Sequence, residues 1–171
     1  HKTQLGGVVL NVASEDGLRS AMQQIAANVQ ARRPDVQVSQ VIVQPMTSGL
    51  GELLLGYRID PEAGPLVVLA AGGIYTEIYR DRSIRLAPVD LDGARSMIAE
   101  LSISRIFQGF RNKPPGDMEA LAQAIVAMSR LALEERMDVV DAEVNPLMVK
   151  PVGEGVVAVD ALVALARRED T

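Results

Sequence analysis

Stretches of alternating polarity and stretches of helical periodicity follow one another along this chain, separated by glycine and proline. Residues 7–12 (GVVLNV) read as a strand. Ser14 stands as an N-cap before Leu18, Ala21, Met22, Ile25, Ala26 and Val29, which recur at i, i+3, i+4 and i+7. That spacing predicts an amphipathic helix over 14–32, stopped by Arg33-Pro34. Strand patterns follow at 38–46, 52–59 and 65–71, with turns at 47–51 and at Asp60-Pro61-Glu62-Ala63-Gly64. Gly72-Gly73 interrupts before further strand patterns at 74–79 and 83–87, with a turn at 80–82 between them. The period then changes. Residues 91–107 and 117–133 are helical, joined by a loop at 109–116, and strands at 139–149 and 156–159 precede a short helix starting at Asp160. Strands in a run, then helices, indicate an α+β domain: a mostly antiparallel sheet covered by helices. We read one domain over 1–171, with a strand–helix lead-in at 1–35 and the main sheet and helices at 36–171.

Composition narrows the core and the partners. Of 171 residues, 48% are apolar, but there are only three Tyr, two Phe and no Trp, so the core is aliphatic. A formal charge of -5 argues against a nucleic-acid partner, since binders of this size usually carry a basic stripe. The absence of cysteine excludes disulfides and thiolate metal sites and suits a cytoplasmic protein. The longest apolar run, 65–71, is too short to span a bilayer, and no secretory signal pattern is present. The chain opens on His1 rather than methionine, directly before a glycine pair and a strand, as expected of a piece of a longer protein.

The stretch DAEVNPLMVK (141–150) carries the candidate chemistry. Period two puts Asp141, Glu143 and Asn145 on one face, and Pro146 then interrupts the ladder. Asp160 closes the next strand, and the turn at 152–155 makes the two strands a hairpin, placing Asn145 beside Asp160. Hard oxygen donors without His or Cys suit Mg2+. The same spacing equally describes a solvated strand face, an Asn-Pro turn and an aspartate capping a helix. Gly72-Gly73 permits close approach of backbone N–H groups to an anion, or simply a tight corner. Glu52, at the start of a strand, is placed either to take ribose hydroxyls or to face solvent. Arg85 and Arg111 are positioned to bind phosphate or carboxylate, or to be solvated. No nucleophile–base set is present, so no catalytic residue is assigned.

Six segments in order carry a resemblance: HKTQLGGV (1–8), VQPM (43–46), GELLLGYRIDPEAGP (51–65), GGIYTEIYRDRSIRLAPV (72–89), FQGFRNKPP (107–115), and EVNPLMV with VAVDA (143–149, 157–161). They resemble the ATP-grasp portion of the ADP-forming (NDP-forming) acyl-CoA synthetases, relatives of the succinyl-CoA synthetase β subunit. The resemblance implies an ATP-grasp-type subdomain that binds ATP or ADP with Mg2+ in an acid–CoA ligase. It implies that Gln44 and Met46 flank the backbone contacting adenine and that Glu52 binds ribose. Gly72, Gly73 and Glu77 would lie close to the phosphates, and Asn145, Asp160 and Glu143 would hold the metal. It further implies that the first ATP-grasp subdomain and the CoA-binding and ligase domains, or a subunit carrying the phosphohistidine, lie outside this chain. The turn reads RIDP where the family commonly has RDP. Two other readings of the resemblance are another ATP-grasp carboxylate ligase and a regulatory ATP-grasp-like module fused to an acetyltransferase.

Overall fold

A computed structural model of the chain describes residues 5–72, 81–109, 112–134 and 138–166. It divides into two compact units, residues 1–46 and 47–171. The first unit is built on α1 (Glu15–Arg32). The Ser14 side chain accepts the Gly17 N–H at 3.1 Å, so the expected N-cap is present. Ala21 and Val29 are buried, while Met22 on the same stripe is exposed. Asn28 donates to the carbonyl of Gly6, and Arg32 to that of Leu5, tying the preceding segment along the helix. Residues 7–12 and 38–46 are not strands, contrary to the alternation. A strand forms only by hydrogen bonding to a neighbour, and no segment among the described residues pairs with either one.

Among the described residues the second unit carries a six-stranded sheet. Its order is β3 (Arg82–Leu86), β2 (Gly64–Ala71), β1 (Gly51–Asp60), β4 (Val139–Val149), β5 (Val156–Ala158), with β6 (Ala161–Leu165) also on β4. Every pairing is antiparallel. The β1–β2 turn is fixed by Asp60, whose Oδ1 accepts the N–H of Glu62 at 3.0 Å and of Ala63 at 2.9 Å. Gly64 completes it with φ +85°, a conformation that costs glycine least.

Two helices cover one face. α2 (Leu91–Glu100) starts on Asp90, which accepts the Gly93 N–H, and α3 (Met118–Ser129) starts on Asp117, which accepts the Ala120 N–H. Each was expected to run on, to 107 and 133; instead each gives way to a 3-10 segment, Ser102–Gln108 and Arg130–Leu133. The first break has a cause: Leu101 is extended, and the Asp81 carboxylate accepts the Ser102 and Ile103 N–H groups, both at 2.8 Å. The core lies between the layers, with Leu53, Leu55, Val67, Leu69, Leu147 and Val149 from the sheet against Met97, Phe107, Leu121 and Ile125. Among the described residues no helix is long and apolar enough to cross a membrane.

Where the last helix was expected, from Asp160 on, the described residues are not helical. Residues 161–165 form β6, paired with β4 from Val144↔Ala161 to Val139↔Leu165. Beyond the end of β5, the outer side of β4 still has hydrogen-bonding groups to satisfy, and this segment meets them in preference to coiling.

Candidate functional site

Register decides which side chains share a face, because residues directly opposite on paired strands point the same way. Leu55 pairs with Leu69 and Tyr57 with Ala142, and all four are buried, so this is the helix-covered face. Glu52, Leu54 and Gly56 therefore belong to the other face. Glu52 stands opposite Met148 and Gly56 opposite Glu143, which puts Glu52 and Glu143 on that same face of neighbouring strands.

Pro146 interrupts the ladder without ending β4, which has the expected span of 139–149. The strand runs through it to Val149, with a cis Asn145–Pro146 bond. Against β1, the pairs Leu53↔Leu147 and Leu55↔Val144 leave Asn145 and Pro146 together opposite Leu54, a β-bulge. The extra residue changes the parity of the buried positions, from Ala142 and Val144 before it to Leu147 and Val149 after it. Proline at a bulge needs no ladder N–H.

On the other side of β4 the bulge meets the junction of β5 and β6. The Asn145 N–H donates to the carbonyl of Asp160 at 3.0 Å, and the Val159 N–H donates to that of Pro146 at 3.1 Å. Asp160 is thus not a helix cap, and that alternative falls with the missing helix. The Asn145 side chain, exposed, donates from Nδ2 to Glu143 Oε1 at 3.2 Å. With its NH2 turned to Glu143, its oxygen is the donor left for a cation. The backbone thus sets Asn145 beside Asp160, and its amide lies against Glu143; an oxygen-only donor set of this kind would suit Mg2+. Among the described residues there is no group of three or more Asp, Glu, His or Cys side chains able to hold a metal.

Glu52 and Gly72 also come together. The Gly72 N–H donates to the Glu52 carbonyl at 2.9 Å. A Cβ on Gly72 would lie 2.7 Å from the carbonyl carbon and oxygen of Glu52, so this approach requires glycine. The Glu52 side chain is exposed. Gln44 and Met46 lie in the first unit, exposed and outside any helix or strand. Gly73, Glu77 and Arg111 fall outside the described residues.

Arg85 is not available as a phosphate ligand on this face. It pairs with Val67, on the helix-covered face, and is bound to the Glu100 carboxylate of α2, which also accepts from Ser83 at 2.6 Å. Arg85, and then Ser83, hold the Glu100 carboxyl below its ordinary pKa. The sequence reading left out Leu54 and Met148, which give the Glu52 face an apolar floor. Period two from Glu52 would have found Leu54, but Met148 required the β4 register.

Comparison with known proteins places this geometry in a family. Residues 1–165 match the family model described as the ATP-grasp domain. An ADP-forming acetate–CoA ligase I of Archaeoglobus fulgidus is 37% identical over 157 residues, covering 92% of this chain and 23% of the relative. The beta subunit of an ADP-forming acetate–CoA ligase I of Pyrococcus furiosus is 34% identical over 165 residues, covering 96% of this chain and 70% of the subunit. A solved structure of dinucleotide-forming acetyl-coenzyme A synthetase 1 of Ca. Korarchaeum cryptofilum, in complex with coenzyme A and Mg-AMPPCP, matches with a TM-score of 0.75 and 33% identity over 97% of this chain and 71% of that one. The chain therefore spans less than a quarter of the Archaeoglobus enzyme it matches.

Proposed function

This chain belongs to the ATP-grasp domain family, and from that membership we propose that it forms the nucleotide- and Mg2+-binding wall of an ADP-forming acid–CoA ligase. The full reaction is acid + CoA + ATP ⇌ acyl-CoA + ADP + phosphate. The observation that carries this reading is the pairing of Asn145 with Asp160 at the β4 bulge, on a strand whose Glu143 shares a face with Glu52.

In this reading Glu52 accepts from the ribose hydroxyls, and Leu54 and Met148 support the base. Asn145 stands opposite Leu54, two positions along β1 from Glu52, roughly 7 Å. A nucleotide laid along the sheet covers that interval from ribose to outer phosphates. Gly72, followed by Gly73 and Glu77, brings backbone close to the phosphates. Asn145, Asp160 and Glu143 hold Mg2+, which when bound neutralises charge on the phosphates during transfer. The Asn145–Glu143 hydrogen bond orients the amide, and the bulge holds it against Asp160. No side chain of this chain attacks phosphorus. The acceptor in this scheme is a histidine on a CoA-binding/ligase domain or subunit, which becomes the phosphohistidine as ADP leaves, working in the cytoplasm. The opposing basic residues come from the first ATP-grasp subdomain.

The test is turnover of the full-length protein beside thermal unfolding, for Asp160→Asn and Asn145→Ala. We expect losses of about a hundredfold or more with the fold retained, since the lost interaction acts on the transferring phosphoryl group. Near-normal turnover at saturating Mg2+ in both variants rejects the assignment.

A further inference from the structure

Asp117 lies away from the ligand face, at the start of α3, and it holds three pieces of backbone at once. Its Oδ1 accepts the Ala120 N–H at 3.1 Å, capping the helix. Its Oδ2 accepts the Gly153 N–H at 2.8 Å and the Gly155 N–H at 3.0 Å. Its own N–H donates to the carbonyl of Lys150 at 2.9 Å. The gripped segment is the β4–β5 turn, where Gly153 and Gly155 have φ of +84° and +79°. Those left-handed conformations aim two N–H groups at one oxygen. The Lys150 N–H closes the turn on Gly155 at 3.1 Å, and the Val152 N–H reaches the carbonyl of Pro115 at 3.0 Å.

On the near side of Asp160 that turn has few helpers in aligning β5, and β6 takes up pairing with β4 only from Ala161 onward. β5 pairs with β4 over three residues only, Val149↔Val156 to Leu147↔Ala158. The next contacts are those of Val159 with Pro146 and of Asn145 with Asp160. A slip of one residue would turn β5 side chains to the opposite face and separate Asp160 from Asn145.

We propose that Asp117 is a positioning residue for the cation site: by clamping the 150–155 turn it sets the β4–β5 register that brings Asn145 against Asp160. The role rests on the cation reading of those two residues, but the register is measurable without a cation. A helix cap alone needs one oxygen, and Ser or Asn caps as well as Asp. The clamp needs a second. Asp117→Ser keeps the cap and loses the clamp. Asp117→Asn has one acceptor oxygen to divide between them.

The experiment is amide hydrogen exchange on the 171-residue chain, beside the Mg2+ requirement for turnover of the full-length protein. In Asp117→Ser, exchange at Asn145 and Val159 is expected to accelerate about tenfold or more while the β1–β2 ladder keeps its protection. The Mg2+ concentration for half-maximal turnover is expected to rise about tenfold, and Asp117→Asn to show smaller changes of the same kind. Should the serine variant lose the β1–β2 ladder too, the asparagine variant decides by the same criteria. Unchanged exchange at Asn145 and Val159, or an unchanged Mg2+ requirement, overturns the proposal. Failure of the cation reading itself shows elsewhere, as normal turnover of Asp160→Asn with Asp117 intact.

Discussion

Two glycines on the Glu52 side of the sheet differ in what a methyl group would meet. At Gly72 the nearest atoms are backbone, the carbonyl carbon and oxygen of Glu52 at 2.7 Å. At Gly56, in mid-strand, nothing comes closer than 3.7 Å. Backbone cannot rotate out of the way as a side chain does. Gly72→Ala is therefore expected to cost about 1–3 kcal/mol, whereas Gly56→Ala, relieving the entropy of a strand glycine, is expected to be neutral or slightly stabilising. Urea unfolding of both variants measures this, and equal losses would show that the Gly72–Glu52 contact is not what demands glycine. The comparison matters for function because Glu52 and Gly72 are proposed to flank the same nucleotide.

At the level of elements, several boundaries are set by carboxylates that accept backbone N–H groups, and these carry a pH signature. Ala63 and then Glu62 hold the Asp60 carboxyl below its ordinary pKa; Ala120, Gly155 and Gly153 do the same for Asp117. A carboxyl depressed in the folded state binds fewer protons there than when unfolded. Its contribution to stability is complete above the unfolded pKa and is lost as pH falls through the folded one. Asp60→Asn keeps an acceptor oxygen at the hairpin turn but removes the titration. Its urea midpoint should fall less than that of the wild type between neutral pH and pH 3, and parallel curves would contradict the assignment. These elements also show how far the sequence could be read. β1, β2 and β3 were legible because alternation and turn residues agree, and α1 because its N-cap and stripe agree. β6 was not, because in DALVALARRED (160–170) apolar residues satisfy helical spacing as well as strand spacing, and the choice was made by the open side of β4. Residues 7–12 and 38–46 failed for the opposite reason: the alternation is there, but among the described residues neither segment joins the sheet. The bulge at Asn145–Pro146 leaves only the proline as a sequence mark.

At the scale of the whole sheet, the two faces divide the work. One face builds the aliphatic core with α2 and α3, and the register places Arg85 there beside Glu100. The other carries Glu52 and Glu143, with Asn145 and Asp160 meeting at the bulge. Spacing within the sequence left the acidic stretch undecided between a solvated edge and a metal site. The family resemblance named the residues, and the fold removed one bland reading by replacing the helix that Asp160 would have capped with a strand. The central claim, that Asn145, Asp160 and Glu143 hold the divalent cation of a bound nucleotide, is tested most directly by paramagnetic broadening. Mn2+ with ADP, added to the 15N-labelled chain, should broaden first the amides of Glu143, Asn145, Asp160 and Ala161, and Asp160→Asn should abolish that selectivity. Broadening centred on another part of the sheet, or unchanged in Asp160→Asn, would contradict the account.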